Sequence, residues 1–120
     1  MSPSLSGVVD ADRSSQLLKG VLDMCLLALL SDEPGYGYEL ARTLTRQGLE
    51  LANEGTIYPA LSRLQRRGLV EGYLVESPEG PARKYYRITP KGRSALGSWV
   101  SEWERLVEAT GRILRGGDDG

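Results

Sequence analysis

Histidine is missing altogether from this 120-residue chain, and cysteine occurs once, as Cys25. The first absence removes His-based catalytic triads, imidazole proton shuttles and His-ligated metal sites together. A lone thiol excludes an intramolecular disulfide and a zinc knuckle, so a reducing cytoplasm is the expected compartment. Long apolar runs are absent too: the longest, residues 24–30, falls well short of the roughly 18 residues that a membrane span needs. The N-terminus also lacks the basic-then-apolar order of a secretion signal, and no membrane partner is expected. Neither a phosphate loop nor a paired-carboxylate motif stands out. No cofactor or metal is therefore expected, and an enzyme is the weakest reading of the chain.

What is present is an ordinary soluble composition, 40% hydrophobic and 26% charged, with the charge unevenly placed. The formal net charge is −1, which looks wrong for a nucleic-acid binder. Residues 36–93, however, hold ten bases against six acids, a local +4, and the flanks carry the compensating −5. Phosphate binding depends on the local field, so the middle of the chain is where such a partner would be met.

That middle contains the most informative stretch, EGTIYPALSRLQRRG (54–68). Small and hydroxyl side chains (Gly55, Thr56, Tyr58) come first and suit close approach to a phosphate backbone. Ile57, Leu61 and Leu64 follow at helical spacing, and Arg63, Arg66 and Arg67 close the run. Two strand-like segments come next, 69–76 and 83–88, joined by a turn-rich SPEGP (77–81). A basic helix followed by a basic hairpin reads as a reader helix plus a wing, in a mainly α, α+β fold.

The remainder fits around that unit. Residues 1–16 are rich in Ser and Asp with little apolar periodicity and read as a flexible tail. From 17 to 30 apolar residues recur every three or four positions, predicting a first helix buried on more than one face. SDEPG (31–35) breaks it. A second helix is predicted over 36–47, with Leu40, Ala41 and Leu44 inward. Pro59 poses a local choice: with Thr56 as N-cap it falls in the tolerant first turn, whereas a start nearer Asn53 places it deeper and demands a kink. Thr89 and Pro90 resemble an N-cap and a first-turn proline, opening a last helix to about Arg115. Its apolar positions, among them Leu96, Trp99, Trp103 and Leu106, step by three and four. The divisions expected are a tail (1–16), a winged helix-turn-helix domain (17–89), a C-terminal dimerisation helix (90–115) and a short flexible tail (116–120). No internal repeat is found.

With these elements in order, the chain resembles the PadR family of bacterial transcriptional regulators, in particular its short members with a single C-terminal helix. The likeness is carried by LLKGVLDMCLLALL (17–30), GYGYEL (35–40), EGTIYPALSRLQRRGLVE (54–71) and RKYYRITPKGRSAL (83–96). It implies a winged helix-turn-helix fold, dimerisation through the last helix together with the first, and repression of nearby promoters relieved by a small molecule. Tyr36 departs from the histidine that many relatives carry before the Gly-Tyr-Glu. Metal-sensing ArsR-like chains rely on Cys and His sets absent here. MarR-like chains usually have an extra N-terminal helix and run longer. The alternative from another class is a winged-helix interaction module that docks a protein instead of DNA, and the basic middle argues against it.

Thr56, Tyr58, Ser62 and Arg63 offer groups for a major groove, with Gly55 permitting close approach. Arg63 is the expected guanine reader, and Thr56 and Tyr58 the expected phosphate contacts. The plainer reading packs Tyr58 on the second helix and leaves the arginines as a solvated face. Arg83 and Lys84, just after the predicted turn, would reach a flanking minor groove or would merely protect an exposed strand. Of Tyr85 and Tyr86, one braces the hairpin and the other touches backbone, while Tyr38 donates to a phosphate or is structural. Trp99 and Trp103 chiefly predict packing in a homodimer. The sharper reading has them stack a flat, apolar or aromatic effector, with Leu22 and Cys25 from the first helix nearby. Cys25 itself reads as a buried, inert thiol.

Overall fold

Leu18, Leu22, Leu26 and Leu30 recur every fourth residue and drive helix α1 (Ala11–Asp32), which buries all four. The structure, a computed structural model, describes residues 11–50 and 52–116. α1 therefore starts before the predicted position 17, and residues 11–16 are helix where a tail was expected. Asp12, Arg13, Ser14 and Ser15 show no apolar period, yet a nucleated helix adds a hydrogen bond for each residue it extends. The rest of the predicted N-terminal tail, and residues 117–120 of the C-terminal one, lie outside the described residues.

After Glu33 and Pro34 comes a two-residue strand, β1 (Gly35–Tyr36), too short to show alternation in a sequence. It leads straight into α2 (Gly37–Arg46), whose Leu40, Ala41 and Leu44 are buried. Gly48, at φ 109°, turns the chain out of α2 in a conformation that side chains disfavour. α3 (Glu54–Arg66) is capped by Asn53, whose Oδ1 accepts from the Thr56 N–H at 3.2 Å. The cap is thus Asn53 and not Thr56. Pro59 stands at the sixth helical position, where it has no N–H to give the Gly55 carbonyl.

Gly68, at φ 76°, reverses the chain into the hairpin β2 (Val70–Ser77) and β3 (Gly80–Ile88). The sheet is antiparallel with strand order β1-β3-β2, so β3 is central. Pairing runs from Val70 opposite Ile88 to Ser77 opposite Gly80, with an irregularity between Val75 and Ser77. Only Pro78 and Glu79 form the turn, which is tighter than the predicted 77–81. Pro81 is accommodated within β3 because β1 pairs only with Tyr85 and Tyr86, leaving that edge of β3 free at the tip.

α4 (Pro90–Leu114) begins as predicted, with the Thr89 hydroxyl accepting from the Gly92 N–H at 3.0 Å and Pro90 in the first turn. One core joins α1, α2, α3 and the base of the hairpin, with Leu26, Leu27, Leu30, Ile57, Leu61, Leu64 and Val70 fully buried. Each such side chain contributes about 1.5–3 kcal/mol of apolar burial. α4 joins this core only through its first turns, where Ala95, Leu96 and Trp99 pack against it. Beyond Trp99 it projects, leaving Leu106, Val107, Ile113 and Leu114 exposed.

Candidate nucleic-acid interface

Helical periodicity divides the surface of α3 into three faces. Ile57, Ala60, Leu61 and Leu64 face the core. Opposite them, Gly55, Ser62 and Arg66 are exposed and project outward. Thr56, Arg63 and Arg67 lie to one side, toward α1 and α4, and Tyr58 and Gln65 to the other, toward α2 and the sheet.

Thr56 is held locally: its hydroxyl donates to the Asn53 carbonyl at 2.9 Å. Tyr58 lies across Gly37, where any Cβ would collide with its ring. It nevertheless keeps 41% of its surface open, so packing on the second helix and exposure to a ligand hold together. Its hydroxyl pKa is raised, first by burial and then by the nearby Glu54 and Tyr36, which keeps it a proton donor.

Arg63, the expected guanine reader, is tied to another helix. Its Nη2 donates to Asp23 Oδ1 on α1 at 2.9 Å, so the guanidinium is turned from the outward face. The outward arginine is Arg66, whose helical phase places it with Ser62. No local pattern could have shown this, because Asp23 lies forty positions away.

The wing also departs from expectation. Arg83 pairs opposite Val75 and Lys84 opposite Leu74, well back from the tip, which consists of Pro78 and Glu79. Arg83 donates from Nη1 to the Tyr36 hydroxyl at 3.2 Å, with its guanidinium 4.8 Å from that ring. Lys84 points to the opposite face, its ammonium 5.5 Å from the ring of buried Tyr86. Tyr86 therefore braces the hairpin on the core, and burial, followed by Tyr58, raises its pKa. Tyr85 is half-buried between Tyr36 and Tyr73, at 5.1 and 6.1 Å between ring centroids. Tyr38, at the start of α2, is 47% exposed. Gly37, which seats Tyr58, had no signal in the sequence.

The predicted effector residues separate into two groups. Trp99 and Trp103 line a groove of about 490 Å³ between α1 and α4, together with Lys19, Asp23, Met24 and Arg67. The Arg67 guanidinium lies 5.2 Å from the Trp99 ring. Leu22 and Cys25 do not join this groove: Leu22 is 2% exposed in the core, and Cys25 packs beside it. Cys25 is half-buried, short of the full burial expected, and that burial pushes its thiol pKa up. Among the described residues no helix is long and apolar enough to cross a membrane.

Residues 26–98 match the model of the transcriptional regulator PadR-like family. A transcriptional regulator of Mycobacterium tuberculosis is 38% identical over 89 residues, covering 72% of this chain and 76% of its own. The crystal structure of a PadR-like transcriptional regulator from Bacillus cereus superposes with a TM-score of 0.76 at 43% identity, covering 85% of this chain and 99% of that one. A PadR family regulator from Eggerthella lenta also gives 0.76, at 32% identity and 87% and 90% coverage. The mixed α and β fold superposes on these relatives, which are named as transcriptional regulators. The chain belongs to the PadR family of transcriptional regulators.

Proposed function

We propose that this regulator acts as a homodimeric, cytoplasmic repressor that binds a palindromic operator and is released by a small flat apolar or aromatic effector. The carrying observation is α3: one face is locked into the core while Gly55, Ser62 and Arg66 are presented outward on a rigid element. Arg66 takes the guanine-reading role first expected of Arg63, since a free guanidinium fork matches O6 and N7. Ser62 adds a base or phosphate contact. Tyr58, Thr56 and Tyr38 position the backbone, and Arg83, Lys84 and Tyr85 support the wing's approach to flanking DNA.

Dimerisation is supported by α4, which leaves Trp103, Leu106, Val107, Ile113 and Leu114 exposed along one element. Such a stripe on an isolated chain is a surface that a second copy covers. The α1–α4 groove is of the size that encloses a small ligand. A ligand there shifts the population between DNA-competent and incompetent dimers if it binds the two with different affinities.

The test is an anisotropy titration against the DNA upstream of its own gene and a scrambled duplex, at two salt concentrations. Tight, strongly salt-dependent binding to the first alone supports the reading, and equal weak binding to both refutes self-regulation. Arg66→Ala should then cost roughly 1–3 kcal/mol on the operator and little on random DNA. Sedimentation gives the oligomeric state, and quenching of Trp99 and Trp103 by flat ligands, lost in Trp99→Leu, tests the groove.

A further inference from the structure

Arg63, Arg66 and Arg67 close α3, and the fold sends each to a different place. Arg66 projects outward with Ser62, and Arg67 lies 5.2 Å from the Trp99 ring on α4. Arg63 crosses to α1, where its Nη2 donates to Asp23 Oδ1 at 2.9 Å. The other ion pairs among the described residues stay local, Arg112 with Glu108 within α4 and Arg87 with Glu71 across the hairpin. Asp23–Arg63 is thus the pair that ties the reading helix to its neighbour. Its side chains keep 40% (Arg63) and 20% (Asp23) of their surface open. A pair so exposed adds little stability. Its larger effect is on where the guanidinium sits.

We infer that Asp23 is a positioning residue that withholds Arg63 from DNA, so that α3 makes one phosphate contact fewer than its sequence offers. The inference rests on the DNA-binding reading of α3. One position past Ser62, Arg63 lies about 100° round the helix from it, an angle that a long arginine side chain spans once untied. Between α1 and the start of α3 is a hollow of about 350 Å³, lined by Lys19, Gly55, Thr56 and Pro59 as well as Arg63. Gly55 also belongs to the outward face, so the hollow opens beside the surface that meets DNA. Among the described residues no carboxylate lines it, so nothing there recaptures a freed guanidinium. In the intact pair, recruiting Arg63 to a phosphate strands the largely covered Asp23 carboxylate without its partner. That cost falls on every sequence alike, because a phosphate contact carries no base information. The consequence is a lower affinity for any duplex.

The experiment uses the full chain, the duplex from upstream of its own gene and a scrambled duplex, titrated by anisotropy at 50 and 200 mM salt. Wild type is compared with Asp23→Asn, Arg63→Gln, the two together, and Glu102→Gln, with circular dichroism confirming each fold. Glu102 lines the same α1–α4 groove as Asp23 and is in no ion pair among the described residues, so it controls for the lost charge. Asp23→Asn should bind both duplexes several-fold more tightly at the lower salt. That gain should shrink by about threefold at the higher salt, the mark of one added phosphate contact. Arg63→Gln should keep the wild-type salt dependence, the double variant should return to it, and Glu102→Gln should show no such gain. A gain absent from Asp23→Asn, kept in the double variant or matched by Glu102→Gln overturns the inference. So does a gain confined to the upstream duplex, because Arg63 would then be reading bases. A weaker salt dependence in Arg63→Gln overturns it too, since Arg63 would already touch phosphate in wild type; this arm decides alone if Asp23→Asn does not fold. Failure of wild type to bind either duplex would instead refute the DNA-binding reading itself.

Discussion

Two glycines of α4, five residues apart, should respond to alanine in opposite directions. Gly97 has no atom within 4 Å of the position its Cβ would take, so Gly97→Ala adds only helix propensity. That is worth about 0.8–1 kcal/mol. Gly92 is buried at the third helical position, and its Cβ would strike the Leu69 carbonyl oxygen and come within 2.7 Å of Ile88 Cγ1. The Leu69 carbonyl cannot easily withdraw, since it accepts from the Thr89 N–H at 3.0 Å. Overpacking of this kind costs about 1–3 kcal/mol, and the obstacle is backbone, which places Gly92→Ala toward the upper end. The cost exceeds the propensity gain. At about 4–8 °C per kcal/mol for a domain near this size, Gly97→Ala should raise Tm by several degrees and Gly92→Ala lower it by about 5–15 °C. Thermal unfolding followed by circular dichroism at one fixed protein concentration decides it, because the stability of the proposed dimer would depend on concentration. If both substitutions raise Tm, the close packing of α4 on the hairpin base is wrong.

Three further outcomes follow from single contacts. Gly37→Ala pushes on the Tyr58 ring, the movable end of a side chain, so operator affinity should fall severalfold while Tm changes little; a large Tm loss with intact affinity would contradict this. Asp23→Asn removes the partner of Arg63, a partly exposed pair worth roughly 0.5–1 kcal/mol, and urea unfolding should show no more than that. Cys25, half-buried and with its thiol pKa raised by that burial, should react with maleimide at pH 7.5 more slowly in the native protein than in urea. The same shift sets a sign: the folded state holds the thiol proton more tightly, so stability is level below the unfolded thiol range and declines as pH rises above it. Equal labelling rates in native and unfolded protein would refute the burial.

The parts of this fold legible in the sequence are those in which a period repeats. The apolar steps of α1, α3 and α4, and the opposed faces Tyr86/Ile88 and Arg83/Tyr85/Arg87 on β3, all follow from spacing. The Thr89–Pro90 start of α4 follows from capping chemistry. What escaped had no period to carry it. The polar first turn of α1 forms by extension of a helix nucleated elsewhere, and β1 is two residues long. Asn53 and Thr56 are both good caps, and only tertiary packing chooses between them. The direction of Arg63 was set by Asp23 on another helix, and the setback of Arg83 from the tip by a turn of two residues instead of five. In the site, residue types were therefore easier to foresee than the faces they occupy.

The end of α3 and the start of α4 are fastened at several points. Lys91 Nζ donates to the Arg67 carbonyl at 2.9 Å, and the Thr89 hydroxyl to the Gly68 carbonyl at 2.7 Å, while Gly92 presses on Leu69. This weld makes the 25-residue α4 a pointer attached to the reading helix. At 1.5 Å per residue the pointer is about 37 Å long. In the proposed dimer, a tilt of about 5° between the two pointers displaces the reading heads relative to one another by about 3 Å, close to the 3.4 Å that separates successive base pairs. Repacking a few side chains where two copies of α4 cross is thus converted, without bending either protomer, into the loss of one base pair of alignment.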